Sequence, residues 1–336
     1  MASQENAVPD IEAPAAPLAE LRAVTKAFSG SGLGLMRPKV VNRAVDNVDV
    51  TINRGEFVAL VGESGSGKST LGRIMLGLLD ADDGAVRYRD RDIVNFTRAE
   101  RTTFRRDVQA VFQDSGASLN PRRTILQSIQ VPLLYNCGLP RNTARARAAE
   151  LLDRVGLSPA LFQDRLPHEL SGGQRQRVGL ARAMASDPTL IVADEPVSAL
   201  DVSVRAKVLS LMRDLQREAS VAYLFITHDL GVVRSLADRV LVMYRGAIVE
   251  EGPATTVIKR PLHPYTQALV AATPVADPRA RERSEPSMIR ETASSPDPSI
   301  GCRFRGRCPA AIDVCHTSAP EYRRIGDDVA VACHRV

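Results

Sequence analysis

Residues 62–70 read Gly62-Glu63-Ser64-Gly65-Ser66-Gly67-Lys68-Ser69-Thr70, directly after an apolar run at 56–61 and before a helical pattern at 69–79. The order G-x-x-x-x-G-K-[ST] between a strand and a helix is the pattern of a phosphate-binding loop. Its glycines allow backbone N–H groups to turn toward phosphate oxygens, and the start of the helix adds positive potential. We therefore predict that Lys68 reaches the β- and γ-phosphates of a nucleotide and that Ser69 binds Mg²⁺.

Short apolar runs alternate with helical segments on both sides of this loop, from about residue 21 to 252, which predicts an α/β core. The clearest strands are expected at 56–61, 108–112, 190–193, 222–227 and 240–243. Helices are expected at 69–79, 143–155, 173–186 and 203–219.

The two ends of the chain differ from this core in amino-acid composition. Residues 1–20 are rich in Ala, Pro and Glu without periodicity, which predicts a disordered lead. Prolines accumulate after residue 253, and the Ser/Pro/charge stretch at 279–298 is predicted to be a linker before a small separate unit. The predicted domains are thus the lead, a core at 21–252 and a C-terminal extension at 253–336.

The composition is that of an ordinary globular protein. The chain has 336 residues, 44% of them apolar and 25% charged, enough for about two domains. Its longest uncharged run, 124–140, contains two Pro and two Gln and could not span a bilayer. No Lys or Arg precedes Arg22 and no apolar segment follows the start, so a signal peptide is not expected. The expected compartment is the cytoplasm.

Two adjacent carboxylates, Asp194 and Glu195, follow the apolar strand expected at 190–193. Adjacent acids at the end of a strand are costly unless a cation or a reaction uses them. In a chain with a phosphate loop, Asp194 suits the Mg²⁺ shell and Glu195 can accept a proton from an attacking water. A helix N-cap role for one of the two is the alternative.

A second possible anion site is Leu170-Ser171-Gly172-Gly173-Gln174, at the start of a helical segment. A Ser and two Gly there can present N–H groups to an anion, or they can act only as a helix cap. Because the phosphate loop already accounts for one phosphate chain, a second such helix start suggests a nucleotide held between two copies of the fold.

Together these elements resemble the ATP-binding cassette (ABC) ATPases. The phosphate loop, LSGGQ, the Asp-Glu strand, Ser198-Ala199-Leu200-Asp201 and Thr227-His228-Asp229 occur in that family's order and spacing. The resemblance implies a P-loop NTPase core of ABC type with a helical subdomain at about 114–170. It also implies an ATPase that works with Mg²⁺.

The family's nucleotide contacts carry over to residues of one subunit. Glu195 resembles the general base, His228 the switch histidine at the γ-phosphate, and Gln113 the Q-loop glutamine, and with Lys68 they form the implied catalytic set. The resemblance further implies that ATP phosphates are bound by Lys68 and the amides of 64–70, and Mg²⁺ by Ser69, Gln113 and Asp194.

Other motifs imply a second subunit. By resemblance, the signature residues Ser171, Gly172, Gly173 and Gln174 would contact ATP bound to the opposite subunit. Asp201 resembles the D-loop aspartate at the dimer seam. The active unit would therefore be a head-to-tail dimer.

Recognition of the adenine base is assigned to Phe28. Val24-Thr25-Lys26-Ala27-Phe28 resembles the A-loop, which stacks an aromatic ring on the base. About a dozen extra residues, 29–40, separate it from the next strand, and an ordinary core Phe is the alternative.

Three further stretches indicate the subfamily. They are Val111-Phe112-Gln113-Asp114 followed by Ser118-Leu119-Asn120-Pro121-Arg122, the run 194–204, and His263-Pro264-Tyr265-Thr266. These resemble the ATPase subunits of peptide (oligopeptide/dipeptide/nickel) importers. The pair Val197-Ser198 and the insert at 29–40 resemble the second of the two ATPase subunits, the OppF/DppF type. The implied partners are a related first ATPase subunit, two permease subunits and a solute-binding protein.

Four cysteines lie in the C-terminal extension: Cys302, Cys308, Cys315 and Cys333. Their spacing is neither that of zinc ribbons nor that of bacterial ferredoxins, but four thiolates suit a soft metal centre. The resemblance to the importers' C-terminal extension implies a [4Fe–4S] cluster, with zinc, free thiols or disulfides as alternatives. Arginines among them, at 303, 305, 307, 323 and 324, are expected to offset the cluster's negative charge.

The implied function is ATP hydrolysis that powers import of di- or oligopeptides through a permease, at the cytoplasmic face of the inner (plasma) membrane. The same machine could instead import nickel, glutathione, opines or oligosaccharides.

A different class, a soluble ABC ATPase acting on nucleic acid, is favoured only by the net charge of +5. Aromatic residues make up 4% of the chain, too few for a base-stacking surface, so no nucleic acid is expected. Residues 101–155 hold nine arginines and four acidic residues, an excess equal to that of the whole chain. This favours a membrane-proximal face, with solvated helix faces as the alternative.

Overall fold

The computed structural model describes residues 16–29, 41–113, 118–273, 300–326 and 328–336. The predicted linker at 279–298, most of the predicted lead and most of the insert at 29–40 lie outside the described residues. The lead ends earlier than predicted, because the first strand begins at Ala19.

Strands in the described residues form two sheets. In chain order they are β1 (Ala19–Ser29), β2 (Val41–Ile52), β3 (Phe57–Val61), β4 (Asp83–Tyr88), β5 (Arg91–Asp92), β6 (Val108–Phe112), β7 (Leu190–Asp194), β8 (Ala222–Thr227), β9 (Arg239–Tyr244), β10 (Ala247–Pro253), β11 (Tyr322–Ile325) and β12 (Val329–Ala332). The larger sheet has the order β11-β12-β10-β9-β3-β8-β7-β6, and the smaller has the order β2-β1-β4-β5.

Five neighbouring strands of the larger sheet, β9-β3-β8-β7-β6, are parallel. Every residue of β3 and β8 is buried, as expected of parallel strands covered on both faces. Such strands read as continuous apolar runs, and the five strands expected from the sequence agree with the observed ones to within one residue at each end.

The smaller sheet was not among the strands expected from the sequence. It is antiparallel, and β1 is interrupted by register shifts after Leu21 and Val24. Leu21 of β1 and Val50 of β2 share a buried cluster with Leu71 and Ile74, which follow the phosphate loop. The smaller sheet therefore packs against the helix that the phosphate loop starts.

Helices flank the larger sheet. They are α1 (Lys68–Met75), α2 (Arg98–Asp107), α3 (Ile125–Tyr135), α4 (Arg141–Arg154), α5 (Pro159–Phe162), α6 (Gly172–Met184), α7 (Val202–Ala219), α8 (Leu230–Leu236), α9 (Ala254–Lys259), α10 (Pro264–Ala272) and α11 (Val314–Thr317). The bounds of α4, α6 and α7 lie within two residues of those predicted, but α1 ends four residues early. Within the described ranges, no helix has the length and apolar character needed to cross a membrane.

The chain between β6 and α6 is helical where it is described. Ile125, Ile129 and Leu133 of α3 and Ala148 and Leu152 of α4 belong to one buried cluster. Thr124 and Gln127 form a capping box at the start of α3, which fixes where that helix begins. The same cluster includes Val111 and Ile191 of the larger sheet, so the helices in the region predicted as a helical subdomain share one apolar core with the sheet.

The C-terminal residues join the core instead of forming the separate unit predicted from the sequence. Strand β12 pairs antiparallel with β10 and extends the larger sheet. Phe304 is 1% exposed, and its ring centroid lies 5.3 Å from that of Tyr244 and 5.5 Å from that of Tyr265. Buried apolar surface thus attaches the segment that follows the described gap to the core of the larger sheet.

We expect Phe304→Ala to reduce the free energy of unfolding by about 3–5 kcal/mol, because it empties a filled aromatic site. Tyr135→Ala is the control: Tyr135 is 76% exposed, and its loss should change the free energy by less than about 0.5 kcal/mol. Urea denaturation followed by circular dichroism measures both values. A Phe304→Ala change as small as the control's would show that residues 300–307 do not belong to the cooperative core.

Candidate nucleotide-binding site

The predicted site residues follow strands that are neighbours in the larger sheet. Val61 at the end of β3 pairs with Thr227 at the end of β8, and Asp194 at the end of β7 pairs with Ile226 of β8. Because parallel strands end at the same edge, the phosphate loop (residues 62–70), the Asp-Glu pair and His228 lie along one edge of the sheet. This is the edge at which open α/β sheets bind ligands.

The phosphate loop folds around the Lys68 ammonium. Lys68 Nζ donates to the carbonyl oxygens of Gly62 and Glu63, each at 2.8 Å. Burial lowers the pKa of Lys68, while the charges of Glu195, Asp194 and Glu63 oppose that shift. Lys68 is thus a buried cation surrounded by acids, in a position from which it can exchange carbonyl oxygens for phosphate oxygens.

Only glycine fits at position 67. Gly67 has φ +108°, and a Cβ there would lie 2.0 Å from the carbonyl oxygen of Ala44. Gly65 also has a positive φ, +78°, but a Cβ there would have no atom within 4 Å. The loop is therefore closely packed on its β2 side and open at its tip.

Ser69 and Asp194, the two residues predicted to bind Mg²⁺ next to the phosphate loop, contact each other. Ser69 Oγ donates to Asp194 Oδ1 at 3.0 Å. Burial raises the pKa of the Asp194 carboxyl, and the hydrogen bond from Ser69 opposes the shift. A hydroxyl and a carboxylate at this distance are oxygen donors of the kind that Mg²⁺ takes, so the donor set fits the ion.

Glu195 is held next to His228. Its backbone has a left-handed φ of +45°, and its N–H donates to the carbonyl of Ile226 at 3.0 Å. Its Oε1 lies 3.2 Å from His228 Nδ1. A non-glycine residue in this conformation is uncommon and is found at functional sites. The Glu195 carboxylate thus lies against the histidine.

Gln113 and Phe28 lie at the ends of their strands. Gln113 is exposed directly after β6, whose Phe112 pairs with Asp194. Phe28 is 43% exposed, so the alternative of an ordinary core Phe is wrong. Its ring centroid lies 6.0 Å from the Lys26 ammonium.

The LSGGQ residues form the helix cap that was the alternative interpretation. Ser171 and Gln174 form a capping box at the start of α6, with Ser171 and Gly172 exposed. A Cβ at Gly173 would lie 2.2 Å from Val204 Cγ1, so glycine allows α6 to pack against α7. Asp201 is exposed at the start of α7, and its side chain makes no cap hydrogen bond. An anion-binding role for the same residues stays a prediction.

Sequence reasoning missed the partners of Glu63. Its N–H donates to Tyr265 Oη, and its carboxylate accepts two hydrogen bonds from Arg307. The only sequence signal was Tyr265 in the HPYT stretch. Hydrogen bonds of Glu63 thus connect the phosphate loop to Tyr265 and Arg307 in the C-terminal part of the chain.

The four cysteines come together without forming a metal-ligand set. All are free. Burial raises the pKa of the Cys302 and Cys308 thiols, and so do the neighbouring cysteines. Among the described residues, no group of three or more His, Cys, Asp or Glu side chains is placed to hold a metal ion. The predicted cluster or zinc therefore has suitable donors but no support from their geometry.

The arginines expected around the cysteines have other partners. Arg303 pairs with Asp46, and Arg307 pairs with Glu63. Arg305 donates to the carbonyl of Cys302 at 3.0 Å. Two of the three nearest arginines in sequence thus contact the core and not the thiols.

A cleft of about 910 Å³ lies on the α2 and β6 side of the described structure. Residues of α2, β4 and β6 line it, together with residues 76–81 after α1 and Asn136 after α3. Apolar and basic side chains line it, among them Leu78, Val94, Phe96, Phe104, Arg101 and Arg105. Leu78 is 64% exposed and Val94 71%, so the cleft presents apolar surface to solvent.

Comparison with known proteins agrees with this geometry. Residues 45–198 match the ABC transporter family, and residues 249–315 match the family described as oligopeptide/dipeptide transporter, C-terminal region. A solved structure of the ATP-binding cassette MJ0796, a dimer in a post-hydrolysis state bound to ADP and Pi, is 33% identical with a TM-score of 0.62. The likeness covers 70% of this chain and 98% of that one. The predicted P-loop α/β core of an ABC-type ATPase is confirmed.

Curated relatives narrow the class. A probable peptide ABC transporter ATP-binding protein of Sinorhizobium fredii is 48% identical over 88% of this chain and 83% of its own length. The oligopeptide transport ATP-binding protein AppF of Bacillus subtilis is 45% identical over 94% of this chain and 96% of its own length. The chain therefore belongs to the ATP-binding proteins of ABC transporters, in the branch that carries the oligopeptide/dipeptide C-terminal region.

We expect Gly67→Ala to destabilise the nucleotide-free protein by about 3 kcal/mol or more, because the new Cβ overlaps the Ala44 carbonyl. Gly65→Ala is the matched control, since it meets only the strain of a left-handed alanine, about 1–2 kcal/mol. Thermal denaturation without nucleotide compares the two variants. Equal losses would contradict the asymmetric packing of the loop.

Proposed function

We propose that this chain hydrolyses ATP to power import of di- or oligopeptides through a membrane permease. The observation that carries the proposal is the alignment of Lys68, Asp194, Glu195 and His228 along one edge of the parallel sheet. The matched C-terminal family and the relatives' names support peptide as the cargo.

The phosphates of ATP bind in the loop 62–70, where Lys68 and the amides of 64–70 supply positive potential. Ser69, Asp194 and Gln113 hold Mg²⁺, and their oxygen donors fit that ion. When bound, the ion neutralises charge that develops on the phosphates. Phe28, which is exposed near the end of β1, stacks on the adenine base.

Glu195 acts as the general base. It accepts the proton of the attacking water, while His228 contacts the γ-phosphate. The 3.2 Å contact between His228 Nδ1 and Glu195 Oε1 lets one side chain orient the other. Asp194 contacts Ser69 and Glu195 contacts His228, so that one acid serves the ion and the other the water.

The signature residues complete the site of a second ATPase subunit. Ser171 and Gly172 are exposed at the start of a helix, and Asp201 is exposed at the start of α7. Ser171, Gly172, Gly173 and Gln174 contact the ATP of that subunit in a head-to-tail heterodimer, and Asp201 lies at the seam.

The 910 Å³ cleft receives a permease segment. Its exposed apolar residues, Leu78 and Val94, suit the apolar face of a short permease helix, and Arg101 and Arg105 suit acidic groups on it. Two permease subunits and a solute-binding protein complete the complex, which places the chain at the cytoplasmic face of the inner membrane. The arginine excess of residues 101–155 then lies near anionic lipid headgroups.

The cargo alternatives differ only outside this chain. Nickel, glutathione, opines or oligosaccharides would be selected by the binding protein and permease. The nucleic-acid alternative rests on net charge alone, and the matched C-terminal region and the relatives favour transport.

Reconstitution in proteoliposomes with the permease and binding protein tests the proposal. We expect ATP-dependent uptake of labelled peptide with the wild-type chain. Glu195→Gln should retain ATP binding but lose hydrolysis and uptake by about 10²–10⁴-fold, the usual value of general-base catalysis.

Hydrolysis that persists in Glu195→Gln would remove the assignment of Glu195. Uptake of nickel or a sugar but not of peptide would change the cargo. ATPase activity stimulated by DNA or RNA, with no response to the permease, would replace transport by the nucleic-acid function.

The extension also suits a soft metal centre. Four free cysteines within electrostatic reach of one another supply the donors that a [4Fe–4S] cluster takes, and zinc is the alternative. The chemistry of the four thiols supports this assignment, although their positions in the structure do not form a metal-ligand set.

Anaerobic purification tests this assignment. We expect a brown protein that contains iron and acid-labile sulfide in equal amounts, and Cys302→Ser should lose both. Colourless protein with stoichiometric zinc would replace the cluster by zinc, and metal-free protein with four titratable thiols would remove the site altogether.

A further inference from the structure

Glu63 connects the phosphate loop to two C-terminal residues. Its carbonyl accepts a hydrogen bond from Lys68 Nζ at 2.8 Å. Its N–H donates to Tyr265 Oη at 2.8 Å, and its two carboxylate oxygens accept from Arg307 at 2.7 and 2.8 Å. The N–H and the carboxylate both bond to side chains more than 200 positions later in the chain.

Tyr265 is firmly placed. It is fully buried, and its ring centroid lies 4.6 Å from that of Tyr244. Its N–H donates to His263 Nδ1 at 3.0 Å, and the N–H of His263 donates to the buried carboxylate of Glu250 at 2.9 Å. The HPYT stretch thus forms a fixed support that presents one hydroxyl to the phosphate loop.

Arg307 is also pre-positioned. Its guanidinium carbon lies 5.8 Å from the ring centroids of both Tyr244 and Phe304. Its side chain is 21% exposed, and that of Glu63 is 39% exposed. A two-point arginine–carboxylate pair on an aromatic surface is stronger and better oriented than an ordinary surface ion pair.

The charge of Glu63 acts on the nucleotide site. It is one of the three acids whose fields reach Lys68. Without a neutralising partner, this carboxylate would repel the phosphates of ATP, whose charge has the same sign. Arg307 cancels that charge from outside the loop and leaves Lys68 available for phosphate.

We propose that Arg307 and Tyr265 are positioning residues for ATP binding: they fix Glu63 in place and offset its negative charge, so that the C-terminal region sets the nucleotide affinity of the phosphate loop. This inference rests on the proposed ATPase function and adds two residues that determine how tightly ATP binds. The residues act through Glu63 and do not contact the nucleotide.

The test compares the affinities of full-length variants for a non-hydrolysable ATP analogue with Mg²⁺, by calorimetry. We expect Arg307→Ala to weaken binding about 10-fold, which corresponds to about 1.4 kcal/mol. At saturating ATP its hydrolysis rate should stay within about 2-fold of wild type, so that the effect falls on KM and not on kcat. Arg307→Lys should recover part of the affinity, since an ammonium keeps the charge without the two-point geometry.

Removal of the carboxylate separates charge from packing. The double variant Glu63→Gln/Arg307→Ala should bind more tightly than Arg307→Ala, because no unpaired acid remains. Arg303→Ala is the matched control: Arg303 docks the same segment through Asp46 and the Arg245 carbonyl and should retain wild-type affinity within about 2-fold. Tyr265→Phe keeps the ring in the core and should weaken binding about 3- to 10-fold through the lost hydroxyl.

Several outcomes would overturn the inference. They are unchanged affinity in both Arg307→Ala and Tyr265→Phe, an equal loss in Arg303→Ala and Arg307→Ala, or a double variant as weak as Arg307→Ala. A wild-type chain that binds no ATP would instead overturn the proposed function itself, so the two failures are distinguishable.

Discussion

The adjacency of β3, β8 and β7 is the constraint on which the rest of the structure depends. Parallel pairing of Val61 with Thr227 and of Asp194 with Ile226 places a buried cation, two acids and a histidine at one edge. If the strand order differed, Ser69 would not reach Asp194 and the strand ends that carry Glu195 and His228 would not be neighbours. The apolar residues of these strands are buried, so the geometry of the site follows from the burial of side chains that take no part in its chemistry.

This constraint also explains what sequence could predict. Strands buried on both faces read as continuous apolar runs, so the parallel strands were located to within one residue. Half-exposed antiparallel strands give a weaker pattern. Strand β1 alternates poorly, because its register shifts at Leu21 and Val24 interrupt the two-residue period, and the smaller sheet was missed. The phosphate loop was predictable because its chemistry requires contiguous residues.

The contacts of the C-terminal region could not be predicted, because they join residues that are far apart in the chain. Arg307 and Glu63 are 244 positions apart, and no local pattern specifies such a pair. From the sequence alone, the arginines at 303 and 307 were assigned to the nearby cysteines. In the fold they meet acids of the core, Asp46 and Glu63. A guanidinium beside neutral thiols gains little, whereas a half-buried carboxylate needs a cation, so charge pairing overrides proximity in the chain.

The contact between Glu63 and Arg307 contributes to the charge balance of the nucleotide site. Lys68 lies among Glu63, Asp194 and Glu195, and a nucleotide would add several negative charges to the same small volume. Mg²⁺ would neutralise the charge of Asp194, and the proton taken from water would neutralise that of Glu195. Glu63 has no such partner within the loop. Arg307 provides one from the segment that also carries Cys302 and Cys308, so any change that moves this segment alters the field at the phosphates as well as the packing around Phe304.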